Sequence, residues 1–67
     1  MTSKKLESII LKDGWYLVNI SGSHRQYKHQ SKQGKVTIPF HKKPKDLNKK
    51  VLRFIFKQAQ IDSADYV

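Results

Sequence analysis

His24-Arg25-Gln26-Tyr27-Lys28-His29-Gln30 and Lys35-Val36-Thr37-Ile38-Pro39-Phe40, joined by Ser31-Lys32-Gln33-Gly34, decide how this chain folds. Both runs alternate. Arg25, Tyr27 and His29 fall on one side of the first run, opposite His24, Gln26, Lys28 and Gln30. Val36, Ile38 and Phe40 fall on the inner side of the second. Successive side chains of a strand point to opposite faces, so this pattern predicts two half-buried strands. The link ends in glycine and reads as a hairpin connection. Pro39 has outward parity and marks an edge or a strand end, because proline donates no hydrogen bond to a ladder.

The rest of the chain is read outward from that hairpin. Trp15-Tyr16-Leu17-Val18-Asn19-Ile20 is aromatic and β-branched and predicts a strand, which Ser21-Gly22-Ser23 breaks. Residues 3–13 predict a helix, with Leu6, Ile9 and Ile10 at i, i+3, i+4, Thr2 or Ser3 as its cap and Gly14 as its stop. His41-Lys42-Lys43-Pro44-Lys45 forms a basic loop, and Asp46 is expected to cap a second helix running to about Ile61. On that helix Asn48, Leu52, Ile55, Phe56 and Ala59 share one face, with Val51 flanking it. Lys49, Lys50, Arg53 and Lys57 share another, and Phe54 lies beside Leu47 and Ile61, roughly opposite Leu52.

The order is therefore α-β-β-β-α. A three-stranded antiparallel sheet with two helices on one face is the arrangement that buries both helical stripes, a two-layer α+β domain. Residues 1–67 read as one domain with a core of about 3–61 and a mobile tail at 62–67.

Composition narrows the function. The chain has 67 residues, 14 Lys+Arg against 5 Asp+Glu, and a net charge of +9. A chain this short buries only about 60% of its unfolded surface, which leaves no interior room for a cofactor, and none is expected. The absence of cysteine excludes thiol catalysis, zinc–thiolate sites and iron–sulfur clusters. No apolar run approaches the roughly 20 residues of a membrane span, and Met1-Thr2-Ser3-Lys4-Lys5-Leu6 lacks the apolar core of a signal peptide. A cytoplasmic protein without a membrane partner is expected. The charge makes nucleic acid, an anionic membrane or an acidic protein candidate partners, with a merely solubilising surface as the plainer alternative; at +9 on 67 residues nucleic acid or an acidic protein is favoured.

Lys42, Lys43, Lys45, Lys49 and Lys50 fall within nine positions, opposed only by Asp46. They are candidate phosphate contacts; the plainer alternative is a solvated face. His24 opens a strand after Ser21-Gly22-Ser23, where turn N–H groups can face an anion. A strand histidine with no role remains open at this point. His29 shares the parity of Tyr27 and reads as a satisfied, half-buried residue. His41 precedes two lysines and can approach a phosphate or simply be solvated. His29 lies five positions after His24, an odd step that places them on opposite faces, and carboxylates are few; no metal site is expected.

An α-β-β-β-α order with lysines opening the last helix resembles the double-stranded RNA-binding domain. A closer likeness lies in Gly22-Ser23-His24, Tyr27 three residues on, a short hairpin, Val36-Thr37-Ile38-Pro39-Phe40-His41 and a helix opening with Leu47. Together with a leading helix ending Asp13-Gly14-Trp15, these resemble the HicA toxin family over about residues 3–61. The resemblance implies a double-stranded-RNA-binding-like fold and an mRNA interferase, a ribonuclease that halts translation. It also implies a HicB antitoxin that binds the toxin and blocks its active site. It assigns catalysis to His24 and matches the family's Pro-x-His element to Pro39 and His41. Val51 and Phe54 depart from it, standing where smaller or polar residues are usual.

On this reading Gly22, Ser23, Lys28, His41, Lys42, Lys43, Lys45, Lys49 and Lys50 bind RNA, and His24, Leu47 and Phe54 meet the antitoxin. Leu47, Phe54 and Ile61 are expected to project away from the core. A slightly rotated helix would bury Phe54 instead. A non-catalytic RNA-binding module is the alternative function, and an adaptor for an acidic partner is the third.

Overall fold

A computed structural model describes residues 1–43 and 45–66. Of the features read from sequence, Pro44 in the basic loop and the last tail residue, Val67, lie outside the described residues. The elements are helix α1 (Ser3–Lys12), strands β1 (Tyr16–Ser21), β2 (His24–Lys28) and β3 (Val36–Pro39), helix α2 (Lys49–Ala59) and a 3-10 turn at Ser63–Asp65. The sheet is antiparallel in the order β1-β2-β3, giving the expected α+β arrangement.

Local chemistry sets the boundaries. The Thr2 hydroxyl accepts the Lys5 N–H and caps α1, and Gly14 follows the helix at φ +107. Asp46 does not cap α2. It forms a bridge with Thr2, and its carboxylate lies 3.2 Å from the Met1 amine. The cap falls to Asn48, whose side-chain oxygen accepts the Val51 N–H at 2.9 Å, so α2 starts at Lys49. It ends at Ala59 rather than Ile61, because Gln60 takes the left-handed conformation at φ 56.

The core is Leu6 and Ile10 of α1, Trp15, Tyr27, Val36 and Ile38 of the sheet region, and Leu52, Ile55, Phe56 and Ala59 of α2. Leu52, Ile55, Phe56 and Ala59 are the buried face that the α2 periodicity predicted, whereas Asn48, read onto that face, is the exposed cap, and Ile9 of the α1 stripe is only half-buried. Trp15 is anchored by its Nε1–H, which donates to the Ala59 carbonyl at 3.2 Å. Lys32 clasps the same end: its Nζ is 2.7 Å from Asp13 and donates to the carbonyls of Ala59 and Gln60. A cation there complements the negative end of α2. Residues 62–66, read as part of the tail, include the 3-10 turn, and Tyr66 stacks on Phe56 with ring centroids 5.2 Å apart.

Candidate active site and basic surface

Two residues connect β1 to β2. Ser21 pairs with His24, and Gly22 and Ser23 lie between them. Gly22 has φ +59 and Ser23 does not have a positive φ, the sign pattern of a type II′ hairpin turn. Glycine is required here by the backbone alone, since a Cβ would meet nothing within 4 Å. Among the described residues, neither the Gly22 nor the Ser23 N–H is engaged in a hydrogen bond. Both are therefore available to an incoming oxyanion.

His24 follows on the open face of the sheet, exposed and opposite Pro39 of β3. Its imidazole has no hydrogen-bond or ion-pair partner among the described residues. The Phe40 N–H donates to the Ser23 carbonyl at 2.6 Å, which ties the start of the basic loop to the turn that carries His24. His41, also exposed, comes two residues after the strand partner of His24.

The other side of the same sheet end holds a different group. Arg25 faces the helix layer, where its Nη1 lies 3.1 Å from Glu7 Oε2 and its guanidinium carbon lies 4.1 Å from the Phe40 ring centroid. Glu7 also accepts the hydroxyl of buried Tyr27. Burial first, and then the neighbouring Glu7 carboxylate, push the Tyr27 phenol well above its ordinary value and keep it neutral. An open cavity of about 380 Å³ lies beside this network, lined by Lys4, Glu7, Arg25, Phe40, His41 and Lys43 among others.

A scan against known protein families matches residues 3–61 to the HicA toxin of bacterial toxin–antitoxin systems. The chain belongs to the HicA toxin family. No curated protein matches it. As a HicA toxin it is the toxin of a toxin–antitoxin system, and toxins of this family are in general of the RNase type. No helix among the described residues is long and apolar enough to cross a membrane.

This HicA chain groups some of its expected site residues and scatters others. Gly22, Ser23, His24 and His41 gather at one end of the sheet. Lys42, Lys43, Lys45, Lys49 and Lys50 are exposed along the loop and the opening turn of α2. Lys28 stands apart, four residues down β2 from His24 and about 13 Å away at strand rise.

Phe54 is exposed at 63%, so α2 is not rotated to bury it. Leu47 and Ile61 do not project with it. Both are half-buried and pack against the core, because α2 begins only after Leu47 and ends before Ile61. His29 is satisfied, as its parity suggested: Nδ1 accepts the N–H groups of Ser31 and Lys32, which leaves Nε2–H to donate to the Asp13 carbonyl at 2.8 Å.

Sequence reasoning missed the group formed by Lys4, Glu7, Arg25 and Phe40. The signal was present. Arg25 has inward parity beside Tyr27, and a cation facing a core needs a carboxylate among the chain's five acids.

Proposed function

We propose that this toxin is an endoribonuclease that cuts mRNA without a metal ion, with His24 as general base, and that a HicB antitoxin neutralises it by covering that residue. One observation carries the reading. An exposed histidine with no partner among the described residues follows two unengaged turn N–H groups, at the end of the sheet where a lysine-rich loop begins. RNA brings its own nucleophile. The His24 imidazole takes the proton of the 2′-OH as that oxygen attacks the adjacent phosphorus. The P–O5′ bond breaks, leaving a 2′,3′-cyclic phosphate and, once O5′ is protonated, a free 5′-OH. General-base help of this kind contributes about 10² to 10⁴ in rate. The Gly22 and Ser23 N–H groups supply donors for the charge that builds on the phosphoryl oxygens.

The leaving O5′ needs a proton donor. Lys28, at about 13 Å along the strand, is too far for that task. Solvent can supply that proton at exposed His24, whereas His41, two residues past the strand partner of His24, also lines the cavity on the Arg25 side. The exposed lysines of the loop and α2 would track the phosphate backbone, with an affinity that falls with salt. For the antitoxin, Phe54 offers an exposed apolar anchor and His24 the group to be blocked, whereas half-buried Leu47 offers only an edge.

The test is induced expression of wild type and His24→Ala, followed by growth and mRNA integrity, with cleavage of purified RNA in chelator. Wild type should arrest growth and leave cyclic phosphate ends, and His24→Ala should lose cleavage by about 10² or more. A His24→Ala chain that cuts as wild type does removes the mechanism. RNA binding without cutting by wild type means a binding module instead.

A further inference from the structure

We infer that the cavity beside the basic loop is a second RNA subsite, in which Arg25 takes a backbone phosphate flanking the one cut at His24. The ligand rests on the ribonuclease reading; the geometry stands without it. Exposed lysines alone make a solvated face, but this location has a built guanidinium. Glu7 holds Arg25 from one side at 3.1 Å and the Phe40 ring supports it at 4.1 Å. Glu7 is itself fixed by the hydroxyl of fully buried Tyr27. A guanidinium carries five N–H donors in a rigid fork, so pairing with Glu7 leaves others for a two-pronged contact to phosphate. Lys4 and Lys43 also line the cavity, and Glu7 is the single carboxylate among the described lining residues. The cavity is open, as a chain passing through requires.

The topology also constrains the strand that can bind. His24 and Arg25 are consecutive residues of β2, so their side chains leave opposite faces of the sheet. Phe40 belongs to both sides: its N–H holds the Ser23 carbonyl and its ring carries Arg25. An RNA that touches both sites must bend over the end of the sheet between them. An unpaired strand can make that turn, whereas a regular duplex presents its phosphates on a stiff A-form surface. The substrate is therefore single-stranded RNA.

The test uses a His24→Ala background, so that binding is read without cutting, with a labelled single-stranded oligoribonucleotide titrated at several salt concentrations. Lys4→Ala should weaken binding about tenfold and reduce the salt slope by about 0.7, the loss of one phosphate contact on a single strand. Arg25→Lys keeps the charge and loses the fork, so affinity should fall about tenfold with the slope unchanged. Lys12→Ala removes the same charge at the far end of α1 and should cost about twofold or less.

Circular dichroism melts check Arg25→Lys for folding; exposed Lys4→Ala carries the test if that variant is unstable. Equal losses from Lys4→Ala and Lys12→Ala would reduce the effect to net charge and overturn the subsite. A duplex of the same sequence bound as tightly as the single strand would overturn it too. So would inorganic phosphate competing as well as RNA at equal phosphate, which would mark a small-anion site. Wild-type cleavage is scored separately: a chain that cuts RNA while these variants bind normally loses the subsite alone, and one that binds as expected without cutting loses the ribonuclease reading alone.

Discussion

β1 and β3 are the two edges of one sheet, and both are apolar in sequence, yet only β3 belongs to the core. Val36 and Ile38 of β3 are fully buried, and both helices pack on that strand. Every residue of β1 is exposed, including Leu17, Val18 and Ile20 at 42%, 45% and 57%. Two helices of 10 and 11 residues cover the β2–β3 side and stop short of the far edge. Apolar content therefore does not equal burial in a chain this small. The open edge also has unusual protection. Exposed edges are commonly guarded by charge or proline. Tyr-Leu-Val-Asn-Ile-Ser carries neither, and a register shift between Leu17 and Asn19 is what interrupts its ladder.

The largest test of this contrast is a matched pair of truncations. Ile38→Ala should destabilise the fold by about 2–5 kcal/mol, a large share of what a small domain possesses. Ile20→Ala removes the same atoms from the bare edge and should stay within about 0.5 kcal/mol. Urea denaturation of both variants checks it. Equal costs would mean that β1 is covered in solution.

Tyr27 tests the strand between the edges, since it pairs with Leu17 on one side and Val36 on the other. Tyr27→Phe removes the hydroxyl that Glu7 accepts and should cost about 1–3 kcal/mol near neutrality, the penalty for a half-buried acceptor that loses one of its donors. The pH dependence has a definite sign. Folding raises the phenol above its ordinary value of 10.0. Its contribution is therefore complete below about pH 10, where the unfolded phenol is also neutral, and is lost as pH rises toward the higher folded value. The wild-type advantage over Tyr27→Phe should shrink through that range in denaturation curves. A constant difference would show that the phenol is not held neutral by the fold.

The contrast between the edges was partly legible in the sequence. β3 alternates, which announces one buried face. β1 is apolar on both parities at Tyr16, Leu17, Val18 and Ile20, which announces a strand but not a covered one. Which edge the helices reach depends on their crossing and on short connections, and no local pattern encodes that. The His24 turn was legible because Gly22 and Ser23 are local turn chemistry. The cavity was not, because Lys4 and Glu7 reach Arg25 and Phe40 only after α1 docks on the sheet. Helix ends were misjudged for a related reason. Asp46 is a good cap by type, but its carboxylate is taken by the Met1 amine, a contact 45 positions away in sequence.

The smallest expected change in stability falls at the bare edge, and there solubility is the better readout. Ile20→Lys places a charge on an exposed strand that carries none. Ile20 is opposite Arg25, so the new ammonium faces a cation already paired with Glu7. Like charges directly across a sheet repel, but exposure and the Glu7 carboxylate screen this pair, so the midpoint should move by about 0.5 kcal/mol or less. A lysine on an open edge hinders the pairing of that edge with another chain. The variant should therefore remain dispersed at concentrations where wild type scatters light. If the two scatter alike, the bulge between Leu17 and Asn19 already guards the edge, and the apolar side chains of β1 are tolerated without a charged gatekeeper.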